Sequence, residues 1–185
     1  MYKILWGGIA VLMMVPLAIA QHSHSPYAGQ DTRAMKTLSP EEMQALLSGH
    51  GMGLAKAAEL NHYPGPRHVL DLATQLQLSE RQRAETQRIY DRMHQEAVRL
   101  GTLIVDKERE LDHLFATEAV NSQTLQHLTK QLAQLQGDLR LAHLQAHVAM
   151  QRLLSPEQIA TYDALRGYTV RTNPEPHSEH QRHQH

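Results

Sequence analysis

The chain has no cysteine among its 185 residues, which excludes a disulfide scaffold, a thiolate zinc site, a cysteine nucleophile and a lipoprotein anchor. Aromatic residues are scarce as well, one Phe, one Trp and six Tyr. A β-sandwich or barrel draws on many more aromatic and β-branched residues than that. Nor is there an excess of one charge: 18 Lys and Arg stand against 19 Asp and Glu, a formal net charge of -1. Without a basic stripe to neutralise phosphates, a nucleic-acid partner is excluded. The length suits one modest domain. What remains is an all-α chain.

Residues 1–20 carry Lys3, an apolar run from Ile4 to Leu17, and then Ala18-Ile19-Ala20. This is the layout of a cleaved secretory signal, with small residues where signal peptidase cuts. An uncleaved anchor is the alternative, but Gly7, Gly8 and Pro16 interrupt a run barely long enough to span a bilayer. The expected location is therefore outside the cytoplasm, a bacterial periplasm. Residues 21–37 and 169–185 are polar and aperiodic and are expected to be disordered, because neither holds enough apolar surface to offset the entropy of ordering. Residues 38–168 form the expected helical domain.

Within that domain one start signal recurs, as Leu38-Ser39-Pro40-Glu41-Glu42, Leu78-Ser79-Glu80-Arg81-Gln82 and Leu154-Ser155-Pro156-Glu157-Gln158. Each places Ser at the N-cap and Glu or Gln three residues later, so that two orphan amides are satisfied reciprocally. Proline at the first helical position loses no hydrogen bond. From Ser79 to about Thr117, Tyr90, Met93, Ala97, Leu100, Ile104, Leu111 and Leu114 keep helical spacing, broken only at Lys107. Asn121 or Ser122 caps a second run in which Leu125, Leu128, Leu132, Leu135, Leu139, Ala142, Ala146, Ala149 and Leu153 hold the same period. The short link between the runs predicts a long antiparallel helical hairpin with short flanking helices, over 54–61 and 67–76. Gly101 and Gly137 fall level on the two arms and predict a bend or a close backbone approach.

The arms differ in chemistry: residues 79–118 hold sixteen charged residues, residues 121–153 only four, with seven Gln. The second arm also has an apolar stripe off its seam, Leu141, Leu144 and Val148, with the cations Arg140 and Arg152 beside it. A two-helix hairpin cannot bury both stripes, so either a dimer seam or a bound client covers the second.

Four side chains are candidates for metal chemistry. His143 and His147 lie one turn apart, and folding the hairpin near residue 119 brings His94 level with His143 and Asp91 level with His147. The four either hold zinc, copper or nickel or stand as solvated flank residues that bind nothing. His177, His180, His183 and His185, with His22 and His24, form biased tracts that bind borderline metals loosely or simply solubilise the termini. Gly49-His50-Gly51-Met52-Gly53 follows no strand and lacks the Lys-Ser/Thr of a phosphate loop. Glu110-x-x-His113 and Asp91-x-x-His94 have the spacing of di-iron bundles, yet the second arm offers a single acid, Asp138. No enzyme is expected.

The two Leu-Ser-x-x-Gln boxes, flanking a long hairpin behind a signal peptide, resemble the LTxxQ motifs of the Spy/CpxP family, with Ser in place of Thr as the capping hydroxyl. GMGLAKAAELN (51–61), YPGPRHVLDLA (63–73) and YDALRGY (162–168) are similar to a branch described as periplasmic heavy-metal sensors or refolding chaperones. The resemblance implies a non-enzymatic envelope-stress protein: a cradle-like antiparallel homodimer of bent hairpins that holds apolar segments of stressed envelope proteins without ATP and requires no cofactor. It also implies an alternative, a CnrX-like metal sensor or resistance protein acting on a membrane regulator; the N-terminal His-x-x-x-His of those sensors is not evident in the helical part of this chain.

Overall fold

The structure, a computed structural model, describes residues 25–168; the expected signal peptide, His22, His24 and the four tail histidines lie outside them. The chain divides into two compact units, residues 1–33 and 34–185. Of the first, residues 25–33 form successive turns, with Ala28 N–H donating to Ser25 O at 2.9 Å and Gln30 N–H to Tyr27 O at 3.0 Å. In the second unit Met35 is buried in the core, one apolar side chain being enough to tie the chain down there.

The second unit carries α1 (Pro40–Leu47), α2 (Lys56–Glu59), α3 (Pro66–Asp71), α4 (Glu80–Ala116), α5 (Ser122–Leu153) and α6 (Pro156–Arg166), and no strand among the described residues. All three boxes close as capping boxes: Ser39, Ser79 and Ser155 accept from the N3 amides, and Glu42, Gln82 and Gln158 return the bond. Asn121 caps α5 by accepting from Gln123 N–H and Thr124 N–H at 3.0 Å each. The expected hairpin is there, with 37 residues in α4 and 32 in α5. Glu118 closes α4 in the left-handed region at φ 55°, where Ala119 N–H reaches back to Leu114 O at 3.0 Å. That return bond satisfies a terminal carbonyl and turns the chain back on itself. The upstream helices are shorter than expected. The segments around them run as turns, and no helix among the described residues is long and apolar enough to cross a membrane.

Two apolar clusters hold this unit together. One joins Ala97, Leu100, Ile104 and Val105 of α4 to Leu128, Leu132 and Leu139 of α5, with Leu46 of α1 completing it. The other gathers Val69, Leu76, Met150, Leu154 and Tyr162. Gly101 serves close approach: a Cβ there would stand 2.1 Å from the Leu46 carbonyl oxygen, so α1 rests directly on the α4 backbone. Gly137 has no such neighbour, and a Cβ there would meet nothing within 4 Å.

The boxes also do something beyond capping. Gln82 Nε2 donates to Leu153 O at 3.2 Å and to Gln158 Oε1 at 2.8 Å. Gln158 Nε2 donates to Leu76 O at 3.1 Å. Each glutamine thus caps its own helix with its oxygen and spends its amide nitrogen on the other box. The start of α4 and the α5–α6 junction are clasped together by the same two side chains that start the helices.

Candidate functional site

The clasp, α3 and the loop after α1 place the open end of the hairpin beside a cluster of imidazoles. His143 and His147 project from one side of α5, 4 % and 8 % exposed, and with His94 of α4 they line one cavity of about 190 Å³. His50 and Gly51 from the 49–53 loop, and Gly65 and His68 from the start of α3, complete its wall. Five of the chain's 14 histidines thus meet in one place.

Two of the rings are oriented by backbone carbonyls. His147 Nδ1 lies 2.7 Å from Tyr63 O, and His94 Nε2 lies 3.1 Å from Ser48 O. A carbonyl can only accept, so those nitrogens carry a proton, and in the neutral form of each ring the lone pair is the one on His147 Nε2 or His94 Nδ1. His143 Nε2 is buried with no hydrogen-bond partner. Burial first, then the neighbouring His147 and His94, holds the His143 imidazole below its ordinary pKa, so it is neutral and available as a ligand at neutral pH. His68 is likewise held low, by burial first and then by Arg166. Gly65 lets the loop pack closely on this ring: a Cβ there would stand 3.0 Å from His147 Cε1, and the ring would have to give by a few tenths of an ångström.

A carboxylate backs the cluster. Glu59 Oε1 accepts from Tyr162 OH at 2.5 Å and Tyr168 OH at 3.2 Å, with Arg166 Nε at 3.5 Å. Its Oε2 is buried, without a hydrogen bond, and 3.6 Å from His147 Nδ1. Burial and this carboxylate push the Tyr162 phenol far above its usual pKa, so it stays protonated and donates to Glu59, while its oxygen accepts from Gly65 N–H at 3.4 Å. A carboxylate behind an imidazole is the arrangement that orients a metal-ligating His and raises its basicity.

Of the four side chains expected to share a metal, the structure brings three to one cavity and leaves the fourth outside. Asp91 is exposed on α4, accepts from Gln87 Nε2 at 2.8 Å and does not line the cavity. Its position one turn before His94 puts it on the solvent flank of α4. As the side chains stand, no group of three or more His, Asp or Glu among the described residues is placed to hold one ion, so a metal would have to draw the rings together. His143 and His147 are buried rather than solvated on the flank. Glu59, His50 and His68 escaped the sequence reading, since their elements are short and only tertiary packing carries them to α5.

Leu141 is 50 % and Val148 37 % exposed, Leu144 is half-buried, and Arg140 and Arg152 flank them on the outer face of α5. On the other side of α5 a groove of about 590 Å³ runs between the arms, floored by Ala142, Ala146 and Ala149 and walled by Met93, Arg92 and Arg99.

No curated protein and no solved structure matches the chain. A family model does: the LTXXQ motif family protein model covers residues 66–166, from the start of α3 to the end of α6, both clasped boxes included. The chain belongs to the LTXXQ motif family.

Proposed function

We propose that this protein is a periplasmic, ATP-independent Spy/CpxP-like chaperone that binds exposed apolar segments of stressed envelope proteins, with no enzymatic step. The observation that carries the reading is the outer face of α5, where Leu141 and Val148 stand half-exposed among glutamines and the cations Arg140 and Arg152. A spaced apolar patch in a polar surround binds many sequences weakly, because few directional bonds must be matched. Membership of a family of Spy/CpxP type supports the same reading. The test is suppression of aggregation of a denatured client by the purified protein and by its Leu141→Ser/Val148→Ser variant. Loss of suppression in the variant, with its helix content unchanged, supports the reading; equal suppression by both overturns it.

A second reading is favoured by a different observation, the unpartnered His143 Nε2 inside a cavity that His94 and His147 also line. It makes the protein a divalent-metal sensor or resistance protein, taking zinc, copper or nickel on imidazole nitrogens and signalling to a membrane regulator. Calorimetric titration of the chain lacking residues 174–185 tests it: heat from the wild type that disappears in His143→Gln supports an ion on these rings, and no heat ends this reading. Any further stoichiometry in the full chain belongs to His177, His180, His183 and His185.

A further inference from the structure

Beside α1 and α2, two concavities of about 460 and 480 Å³ run into each other, sharing Met52, Leu54 and Arg140; Met52, Lys56 and Leu60 of the second also line a concavity reached by His68, His143 and His147. Each lies within the size range of small-molecule sites, about 300–1,000 Å³. Their linings differ. The first is a trough of aliphatic side chains, Leu38, Leu46, Ile104 and Leu139 among them, with Gly137 of α5 at its edge. The second adds Lys56 and Asn61 beside Leu60. Arg140 stands where the two join, and neither it nor Lys56 forms an ion pair among the described residues. The one carboxylate of the combined lining, Glu42, is engaged by Ser39 N–H at 2.8 Å in the α1 capping box. Met52 and Leu60 lie at the rim, 46 % and 54 % exposed.

We propose that this groove binds a long-chain fatty acid, the acyl chain in the aliphatic trough and the carboxylate between Arg140 and Lys56. The charge decides the headgroup: two cations without partners and no competing free carboxylate on the lining complement a single anion. The trough decides the tail. A peptide laid there would bring an amide every residue, and the polar side chains of the trough lining are Gln136, Arg140 and Glu42, the last already engaged in its capping box, too few to pair them, whereas an acyl chain has no polar group to satisfy along its length. Gly137 keeps the trough open, because no protein atom lies within 4 Å of where its Cβ would be. The site shares Arg140 with the proposed client face and adjoins the histidines, but its ligand is neither a client nor a metal, and it stands whether or not either reading above holds.

Calorimetric titration of the purified protein with dodecanoate, below the concentration at which it forms micelles, is the test. Saturable binding of one dodecanoate per chain is expected, with affinity falling by up to about four-fold for each methylene removed on going to decanoate. Dodecan-1-ol, and dodecanoate with the Arg140→Gln variant, are each expected to bind about five-fold more weakly. Gly137→Leu fills the trough from a helix position with open space in front of it, and is expected to abolish binding while leaving thermal unfolding unchanged or raised. Absence of saturable binding overturns the proposal. So does equal binding of dodecanol and dodecanoate, or undiminished binding by Gly137→Leu. An apolar decapeptide that binds this groove where dodecanoate does not also overturns it and assigns the groove to peptides.

Discussion

Two glycines level with each other on the hairpin have opposite reasons to be there. At Gly101 an added methyl would collide with the Leu46 carbonyl, which belongs to backbone and cannot swing aside. Gly101→Ala is therefore expected to cost about 2–3 kcal/mol as α1 is pushed off α4. Gly137→Ala meets nothing and removes backbone freedom from the unfolded chain, so it is expected to stabilise by up to about 1 kcal/mol. Urea unfolding of both variants checks the pair, and destabilisation by both would contradict it. His143 supplies a second expectation at this scale. Its pKa is lowered in the fold, so below about 6.5 the unfolded chain takes up a proton that the folded chain resists. Stability should be full above that pH and fall as pH drops through the window beneath it, by up to about 1 kcal/mol per unit. His143→Gln in chelator-treated protein should flatten the profile from pH 7.5 to 5.5; an unchanged slope would place the proton uptake elsewhere.

At the scale of elements, the boxes explain why so few residues mark so much of the fold. Each serine starts a helix, which local hydrogen bonding alone dictates. That the two glutamines bond to each other is a tertiary fact, because Gln82 and Gln158 are 76 positions apart. Gln82→Ala and Gln158→Ala should each cost about 1–3 kcal/mol, since each leaves a part-buried carbonyl unpaired as well as a helix uncapped. The double variant should cost less than the sum, by about 1 kcal/mol. Glu42→Ala, where the box bonds only to itself, should cost less than either. Chemical denaturation of the four variants measures this, and strict additivity would deny the clasp. The turns carry a related lesson. His62, Gln77 and Glu118 all adopt positive φ without being glycine, so a search for Gly as the helix stop misses three of the chain's reversals. Packing around His62, whose Nδ1 lies 2.7 Å from the buried Asp163, offsets the backbone cost there.

For the whole molecule the open question is what covers the outer face of α5. The two occupants expected from the sequence, a second copy and a client, make different demands. A seam between copies needs the stripe continuously buried, while a client site needs it free in the resting state. Leu144→Glu separates them in sedimentation equilibrium. A wild-type dimer that becomes monomeric in the variant would assign the stripe to self-association, whereas an unchanged association state with weaker suppression of aggregation would assign it to clients.

The sequence by itself determined the all-α class, the two long helices to within a residue or two, their caps, and the pairing of His143 with His147. Those follow from period, capping chemistry and loop length, which act over a few residues and are therefore written locally. Tertiary structure alone decided that Asp91 stays outside the histidine cavity while Glu59, His50 and His68 join it. It also decided that Gly101 is a contact and Gly137 is not, and that two aliphatic surfaces meet at Arg140. The short helices α2 and α3 carry too little periodicity to announce which face they bury, and the place of this segment against α5 and α6 is set by packing between residues some eighty or more positions apart, such as Tyr63 with His147 and Glu59 with Tyr162.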